Sequence, residues 1–494
     1  MFEKTRPAMG FMLALVMHAP AFSDPIATTS RAAMRSPPAI MASGHIANLT
    51  LTEAVFLGLR GNRFIRSAYL ERVAQKYDLR VAEDYFTPKL LLTGRYLGAR
   101  SQDDRYRQAE VTPQTTKISE IGTRFSLSWA NQLNQADRAG RLRNDGVTFA
   151  VIQPLLRGSG REVATAPLRL ARLTEQSNRL GLQARVAQTV TQIVLAYREL
   201  LRAQEQVRIA QDALGRSRRL LEINKALIAA GRMAEFEIVQ TEADTAMQEL
   251  SVEDANNMLA ARRLDLLQLL ALDLSNQVYA TEGLGAERMQ LSLVDAQRVA
   301  LERQPEYLMQ LIASEQADVN LIVAKNQSLW DVSLMGGATQ RRDRHSGGSH
   351  APVSNRGWEG YAGVQVEIPI GDSATRQSEV RARVAVEDQA NRLKNAQQLL
   401  DRDVSDAVRD VGSGWRQLEI ATRAYELSRR KLDIEREKLQ VGRSSNFQVL
   451  SFEADLRSSD SARLGALIGY LNAQTRLDLR LGTTLDSWDI ALND

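Results

Sequence analysis

The sequence predicts a mainly α-helical protein with membrane β-strands, assembled from a helix–strand–strand–helix–helix unit that occurs twice. Three observations predict it. Residues 218–271 align without a gap on 429–482 at an offset of 211, and 49–94 align on 291–336 at an offset of 242. Apolar residues recur every seven positions through two long segments, the pattern of a coiled-coil seam. Segments of period two lie between the helices, in a chain with no run of 18 or more apolar residues after its N-terminus.

In the first alignment Gly231-Arg232 falls on Gly442-Arg443, Phe236 on Phe447, and Glu242-Ala243-Asp244 on Glu453-Ala454-Asp455. In the second, Glu53-Ala54 meets Asp295-Ala296 and Gly94 meets Gly336. The offsets differ because the first copy carries a longer insertion at about residues 95–147.

The N-terminus reads as a signal peptide, 1–23: Lys4 and Arg6 are basic, Ala8 to Ala19 is apolar, and Ala21-Phe22-Ser23 suits cleavage after Ser23. Residues 24–48, rich in Ala, Ser, Pro and Met, read as a flexible leader. The first repeat, 49–272, opens with a helix at 50–86, where Thr52 can cap, Glu53 opens the first turn and Pro88 ends the run. Strands follow at 88–100 and 144–154. A long helix, 162–229, carries Val186, Ile193, Leu200, Val207, Leu214, Leu221 and Ile228 at seven-residue intervals, and a helix at 234–272 follows the Ala230-Gly231-Arg232 turn. After a connecting, equatorial segment at 273–290, the second repeat, 291–482, gives a helix at 293–327, strands at 329–341 and 357–369, a long helix at 374–440 and a helix at 445–482. Its seam is Val404, Val411, Leu418, Tyr425, Leu432 and Leu439, and 483–494 is a C-terminal tail. A helix of about 68 residues spans roughly 100 Å, which two of the shorter helices laid end to end match.

Along the strands, Leu90, Leu92, Gly94 and Tyr96 alternate with Lys89, Thr93 and Arg95, and Val332, Leu334, Gly336 and Ala338 alternate with Asp331, Ser333 and Thr339. Val147, Phe149 and Val151, and Ala362, Val364, Val366 and Ile368, repeat the pattern on the return. One apolar and one polar face suits a membrane barrel with a wet lumen, and also an ordinary half-buried sheet. Two strands per repeat give four per chain, too few to close a barrel. Open edges cannot face lipid, so membrane strands would require the chain to oligomerise. Ile118 to Gln132 also alternates and reads as an extracellular extension or loop strand.

Composition narrows function by exclusion. Hydrophobic residues make 44% of the 494, charged residues 25% and aromatics 5%, a mix suited to long helices more than to a thick core. The net charge of +4 is too small and dispersed to argue for nucleic acid. With no cysteine there is no thiolate metal site, thiol nucleophile, disulfide or lipobox lipidation. No phosphate-binding glycine loop, HExxH or GxSxG motif occurs, and no cofactor or metal site is expected. Glu242, Asp244, Glu453 and Asp455 read as helix-surface carboxylates paired with Arg or facing water. His345, His350 and the cluster Arg341, Arg342 and Arg344 fall in a Gly-rich stretch that reads as an extracellular loop, where the arginines either meet lipopolysaccharide phosphates or are simply solvated.

In this order of elements the chain resembles the outer-membrane factor family, the TolC-like channels, over essentially all of 49–482. The resemblance rests on Gln153-Pro154-Leu155-Leu156-Arg157-Gly158 and Ile368-Pro369-Ile370-Gly371-Asp372 at the strand-to-helix junctions. It rests also on the two Gly-Arg turns, followed by Phe236-Glu237-Ile238-Val239 and Phe447-Gln448-Val449-Leu450. It implies a homotrimer with a 12-stranded outer-membrane barrel continued by a coiled-coil barrel across the periplasm. It implies the channel of a tripartite efflux or type I secretion system, partnered by a periplasmic adaptor (membrane fusion) protein, an inner-membrane ABC or proton-driven transporter, and outer-membrane lipid. No enzymatic activity or cofactor is implied. Gly231, Arg232, Gly442 and Arg443 would lie at the adaptor-docking tip, and Glu237, Gln240, Gln448 and Ser451 would line the aperture. The family often has acidic residues there, whereas only Glu237 of these four is acidic. The competing reading is a periplasmic adaptor or coiled-coil scaffold without a pore, but adaptors carry a single hairpin flanked by β domains.

Overall fold

A computed structural model describes residues 46–100, 105–137, 140–346, 353–371 and 373–492. The expected signal peptide and all but the end of the expected leader lie outside the described residues. The first half runs β1 (Ile46–Leu49), α1 (Leu51–Gly61), α2 (Arg63–Glu83), a 3-10 turn, β2 (Lys89–Arg100), β3 (Arg105–Ile118), β4 (Arg124–Ala136), β5 (Gly140–Pro154), α3 (Arg161–Ala164), α4 (Ala166–Ala229), α5 (Glu237–Leu270) and β6 (Gln277–Ala280). The second runs α6 (Leu293–Arg303), α7 (Pro305–Gln327), β7 (Asp331–Ser346), β8 (Val353–Glu367), α8 (Ser373–Gln440), α9 (Asn446–Leu481) and α10 (Thr484–Ser487). No described helix is long and apolar enough to cross a membrane.

Several sequence expectations are corrected. The single helices expected at 50–86 and 293–327 are each broken once, at Asn62 and at Gln304. These positions are equivalent under the 242 offset. Both residues are extended, and both side chains cap the helix that follows, Asn62 taking the N–H groups of Phe64 and Ile65 and Gln304 that of Tyr307. The first helix is capped by Thr50 rather than Thr52, in a capping box with Glu53. The end of the expected leader forms β1, which pairs in parallel with β6 inside the expected connector.

The largest correction concerns strands. The first copy holds four, not two, and the segment expected as an extension is a full member of the sheet. All six strands run in the order β2-β3-β4-β5-β7-β8, each antiparallel to its neighbour. The β3–β4 turn lies at the helical end, where a Cβ on Gly122 would meet the Gly158 carbonyl at 2.3 Å and Glu120 reaches Arg161 at 3.0 Å. The insertion therefore adds one complete hairpin to the sheet, and of the stretch expected as an Arg/His loop residues 341–346 and 353–357 are strand, while 347–352, with His350, lie outside the described residues.

The helices bury their largest core against the small sheet, among residues of the first half. Val186, Ile193 and Leu200 of the predicted seam are fully buried with Leu266, Leu267, Leu270, Leu49 and Val278. Tyr197 is fully enclosed; its hydroxyl donates to the Leu49 carbonyl at 2.8 Å and accepts from the N–H groups of Thr281 and Glu282 at 3.2 Å. Burial without water makes those partners necessary. Further along α4 the buried side chains are Ala213, Ser217, Leu220 and Asn224, and Leu214, Leu221 and Ile228 are only half-buried. A 3.6-residue helix drifts off a strict seven-residue stripe unless it supercoils fully.

At the sheet-to-helix junction the Gln153–Gly158 motif ties β5 to the second repeat. The Leu155 N–H donates to the Val332 carbonyl at 2.7 Å, Arg157 reaches Asp331 at 2.8 Å, and the Gly158 N–H donates to Asn326 at 2.7 Å.

Candidate functional site: hairpin tip and strand sheet

The α4–α5 and α8–α9 hairpins end in the same turn. Gly231 has φ +70° and Gly442 φ +75°, the left-handed region that favours glycine. The Gly231 N–H donates to Ile228 and that of Arg232 to Leu227; the Gly442 N–H donates to Leu439 and that of Arg443 to Lys438. This 5→2 and 6→1 pair is the Schellman motif, which satisfies the last carbonyls of α4 and α8.

The arginines after the glycines differ. Arg232 crosses to the other hairpin and donates to the Gln440 carbonyl at 3.3 Å, complementing the negative end of α8. The Arg443 guanidinium is exposed and has no partner among the described residues. Equivalent aromatics crown both turns, Phe236 at 77% exposure and Phe447 at 66%. Single exposed apolar residues need no account, but here the same residue is exposed at the equivalent place in both turns.

Glu237 and Gln240 occupy the first turn of α5, Gln448 and Ser451 the matching places on α9. Gln240, Gln448 and Ser451 are exposed and Glu237 is half-buried. The Gln448 N–H is held by the Ser445 side chain at 3.2 Å.

Beneath the turns the two hairpins meet through polar contacts that the sequence reading missed. Asn224 of α4, fully buried, donates to Thr241 of α5 at 2.7 Å and to Asn446 of α9 at 2.8 Å. Two turns away along α4, Ser217 donates to Asp244 at 2.6 Å and lies 3.0 Å from Thr245. Glu453 is gripped by Arg216 at 2.8 Å and by Arg436, and Asp455 takes Lys431 at 2.9 Å. Ser444 and Lys438 donate to the Glu435 carboxylate, holding its pKa below the ordinary carboxylate value. The available signal was polar residues at positions adjoining an apolar stripe. Among the described residues, no group of three or more His, Asp or Glu gathers as a metal site.

At the other end the sheet has two unlike faces. Following the register, Leu90, Thr115, Leu127, Phe149, Ala338 and Gly360 make one cross-strand row on a shared face. That face also shows Leu92, Trp129, Val147, Trp358 and Val364, exposed by 58%, 53%, 41%, 81% and 63%. The opposite face carries the row Lys89, Thr116, Ser126, Ala150, Gly337 and Tyr361. Nine residues of β7, Val332 to Gln340, cover the apolar band, about what a tilted membrane strand needs. β2 and β8 each have one unpaired edge within the chain.

No protein-family model and no curated protein matches the chain. Solved structures do. The Campylobacter jejuni CmeC outer membrane channel matches with a TM-score of 0.65 at 15% identity, over 88% of this chain and 86% of that one. The open-state Neisseria gonorrhoeae MtrE outer membrane channel matches with 0.66 at 15% identity, over 88% and 89%. The Vibrio cholerae outer membrane protein VceC matches with 0.64 at 14% identity, over 87% and 96%. At such identities the likeness is one of fold: helix-rich, with an antiparallel sheet, and shared with outer-membrane channels.

Proposed function

We propose that a chain with the fold of outer-membrane channels is itself one, a TolC-like outer-membrane factor. In this reading it is the passive conduit of a tripartite efflux or type I secretion system, exported by its N-terminal signal peptide and without catalytic activity. The observation that carries the reading is the two-faced sheet with open edges. Its apolar face needs lipid, and its edges need strands from other copies, because unpaired backbone groups have no partner in hydrocarbon. A coiled-coil scaffold without a pore leaves that face in water.

A homotrimer of this chain carries eighteen strands rather than the twelve expected from four per chain. With strands about 4.8 Å apart and tilted about 40°, the barrel radius is about 18 Å instead of about 12 Å. The helical hairpins continue the conduit into the periplasm. Gly231, Arg232, Gly442 and Arg443, with the exposed Phe236 and Phe447, form the adaptor-docking tip, beyond which stands an ABC or proton-driven inner-membrane transporter. Glu237, Gln240, Gln448 and Ser451 line the aperture, which with one carboxylate per subunit is a weak cation ring.

The test is direct. The mature protein should sediment with the outer membrane, run as a heat-modifiable oligomer and conduct single-channel current in a planar bilayer. A water-soluble monomer that never enters detergent or lipid refutes the reading. Replacing Arg232 and Arg443 by Glu should reduce cross-linking to the adaptor; unchanged cross-linking removes these residues from the docking site.

A further inference from the structure

The apolar face of the sheet does not end in neutral residues. On that same face, one step beyond the row holding Trp358, stand Asp145, Arg342 and Arg356; one step further stand Arg143 and Arg344. Each step is two residues, about 6.6 Å along a strand. These residues lie on β5, β7 and β8, which are adjacent.

Two of the cross-strand pairs are unfavourable as they stand. Arg143 is directly opposite Arg344, and Arg342 directly opposite Arg356. Like charges at such positions destabilise a sheet. Asp145 relieves only part of this, pairing with Arg143 at 3.0 Å. Arg342, Arg344 and Arg356 are exposed and make no ion pair among the described residues. The lumen-side arginine of the same strand, Arg341, is by contrast matched by Asp343 at 3.2 Å. Within β7 the arginines without an ion pair are those on the outward face.

We propose that Arg342, Arg344 and Arg356 bind the phosphate groups of an anionic lipid headgroup in the leaflet that surrounds the far end of the barrel. The placement selects this occupant. Trp129 and Trp358 end the apolar band, and such aromatics mark the interface of a membrane barrel. Guanidinium groups one step beyond them stand at headgroup depth, where planar two-donor contacts suit phosphate oxygens. The site is continuous with the band that holds the acyl chains, so a lipid meets both parts and a free anion only one. A headgroup with two phosphates can bridge neighbouring strands and offset the opposed arginine pairs. This inference rests on the sheet spanning a membrane.

The test uses the full-length protein in neutral detergent and a fluorescent, acylated glucosamine disaccharide with two phosphates, beside its dephosphorylated counterpart. The phosphorylated lipid should bind at least about tenfold more tightly, and less so as salt rises. Arg342→Gln/Arg344→Gln/Arg356→Gln should lose that preference, whereas Arg341→Gln keeps it. Should the triple variant fail to assemble, Arg344→Gln and Arg356→Gln singly should each lose about fivefold. Inorganic phosphate at equal concentration should not compete; full competition identifies a free-anion site and overturns the lipid assignment. Equal binding of the two lipids, or a triple variant within about twofold of wild type, also overturns it. If the protein inserts and conducts but shows no lipid preference, the lipid site alone is wrong. If it neither inserts nor conducts, the channel reading is wrong and this inference falls with it.

Discussion

Glu435 shows how much of the tip depends on individual hydrogen bonds. It sits near the end of α8, where the Ser444 hydroxyl and the Lys438 ammonium stabilise its charged form. The folded pKa is therefore below the unfolded one. Its contribution is present above the ordinary carboxylate value of about 4.3 and is lost as pH falls through the depressed value. Hydrogen exchange across Gly442–Asn446, corrected for intrinsic rates, should speed up in acid in the wild type. In Glu435→Gln it should already be fast at neutral pH and change little on acidification. Asn224→Ala tests the buried contact between hairpins. It leaves the buried Asn446 Oδ1 without its donor, while Thr241 keeps the one from the Asn446 amide at 2.9 Å, and should lower stability by about 1–3 kcal/mol, read by thermal or denaturant unfolding. Gly442→Ala, in a left-handed turn with open space around it, should cost only about 1 kcal/mol. Of these residues the sequence pointed to the glycines alone. A glycine after a periodic run is a local signal, whereas Asn224 has meaning only once α9 lies against it.

Among the elements, the long helices and their turns were legible because heptad spacing and glycine stops are local and appear in both copies. The breaks at Asn62 and Gln304 were legible in principle from Gly61-Asn62 and Gln304-Pro305, but an uninterrupted apolar pattern on either side hides a single extended residue. Loss of either cap, by Asn62→Ala or Gln304→Ala, should lower the melting temperature by an amount equivalent to about 1 kcal/mol. β3 was hidden for a different reason. Its sequence, Arg105 to Ile118, has few apolar residues and a central Pro113, which argues against an interior strand. Pairing with β4 is interrupted at that proline and resumes beyond it in the same register. Without β3, the alternation at 118–132 had no partner and read as an extension. Removing 105–136 should bring β2 beside β5 and restore a four-stranded unit. Electron microscopy of the assembled oligomer should then show the barrel radius shrink from about 18 Å to about 12 Å. An unchanged radius places the hairpin outside the wall.

For the molecule as a whole, duplication set the architecture and the sheet sets its assembly. Six strands with two open edges and one apolar face are a fragment of a closed structure, so the expected species is an oligomer in which β2 of one copy meets β8 of the next. Cysteine pairs placed on those two edges, in a chain that has none of its own, should form cross-links between subunits and none within one. The repeat, the seams, the Schellman glycines and the alternating strands at the ends of the insertion were fixed by the sequence by itself, because each is a short-range pattern that one helix turn or one strand pleat enforces. How many strands the wall holds, which polar side chains join the hairpins and on which face the arginines gather were decided only by the tertiary structure. Those depend on register between segments far apart in the chain, and a shift of one residue would send every side chain of a strand to the other face.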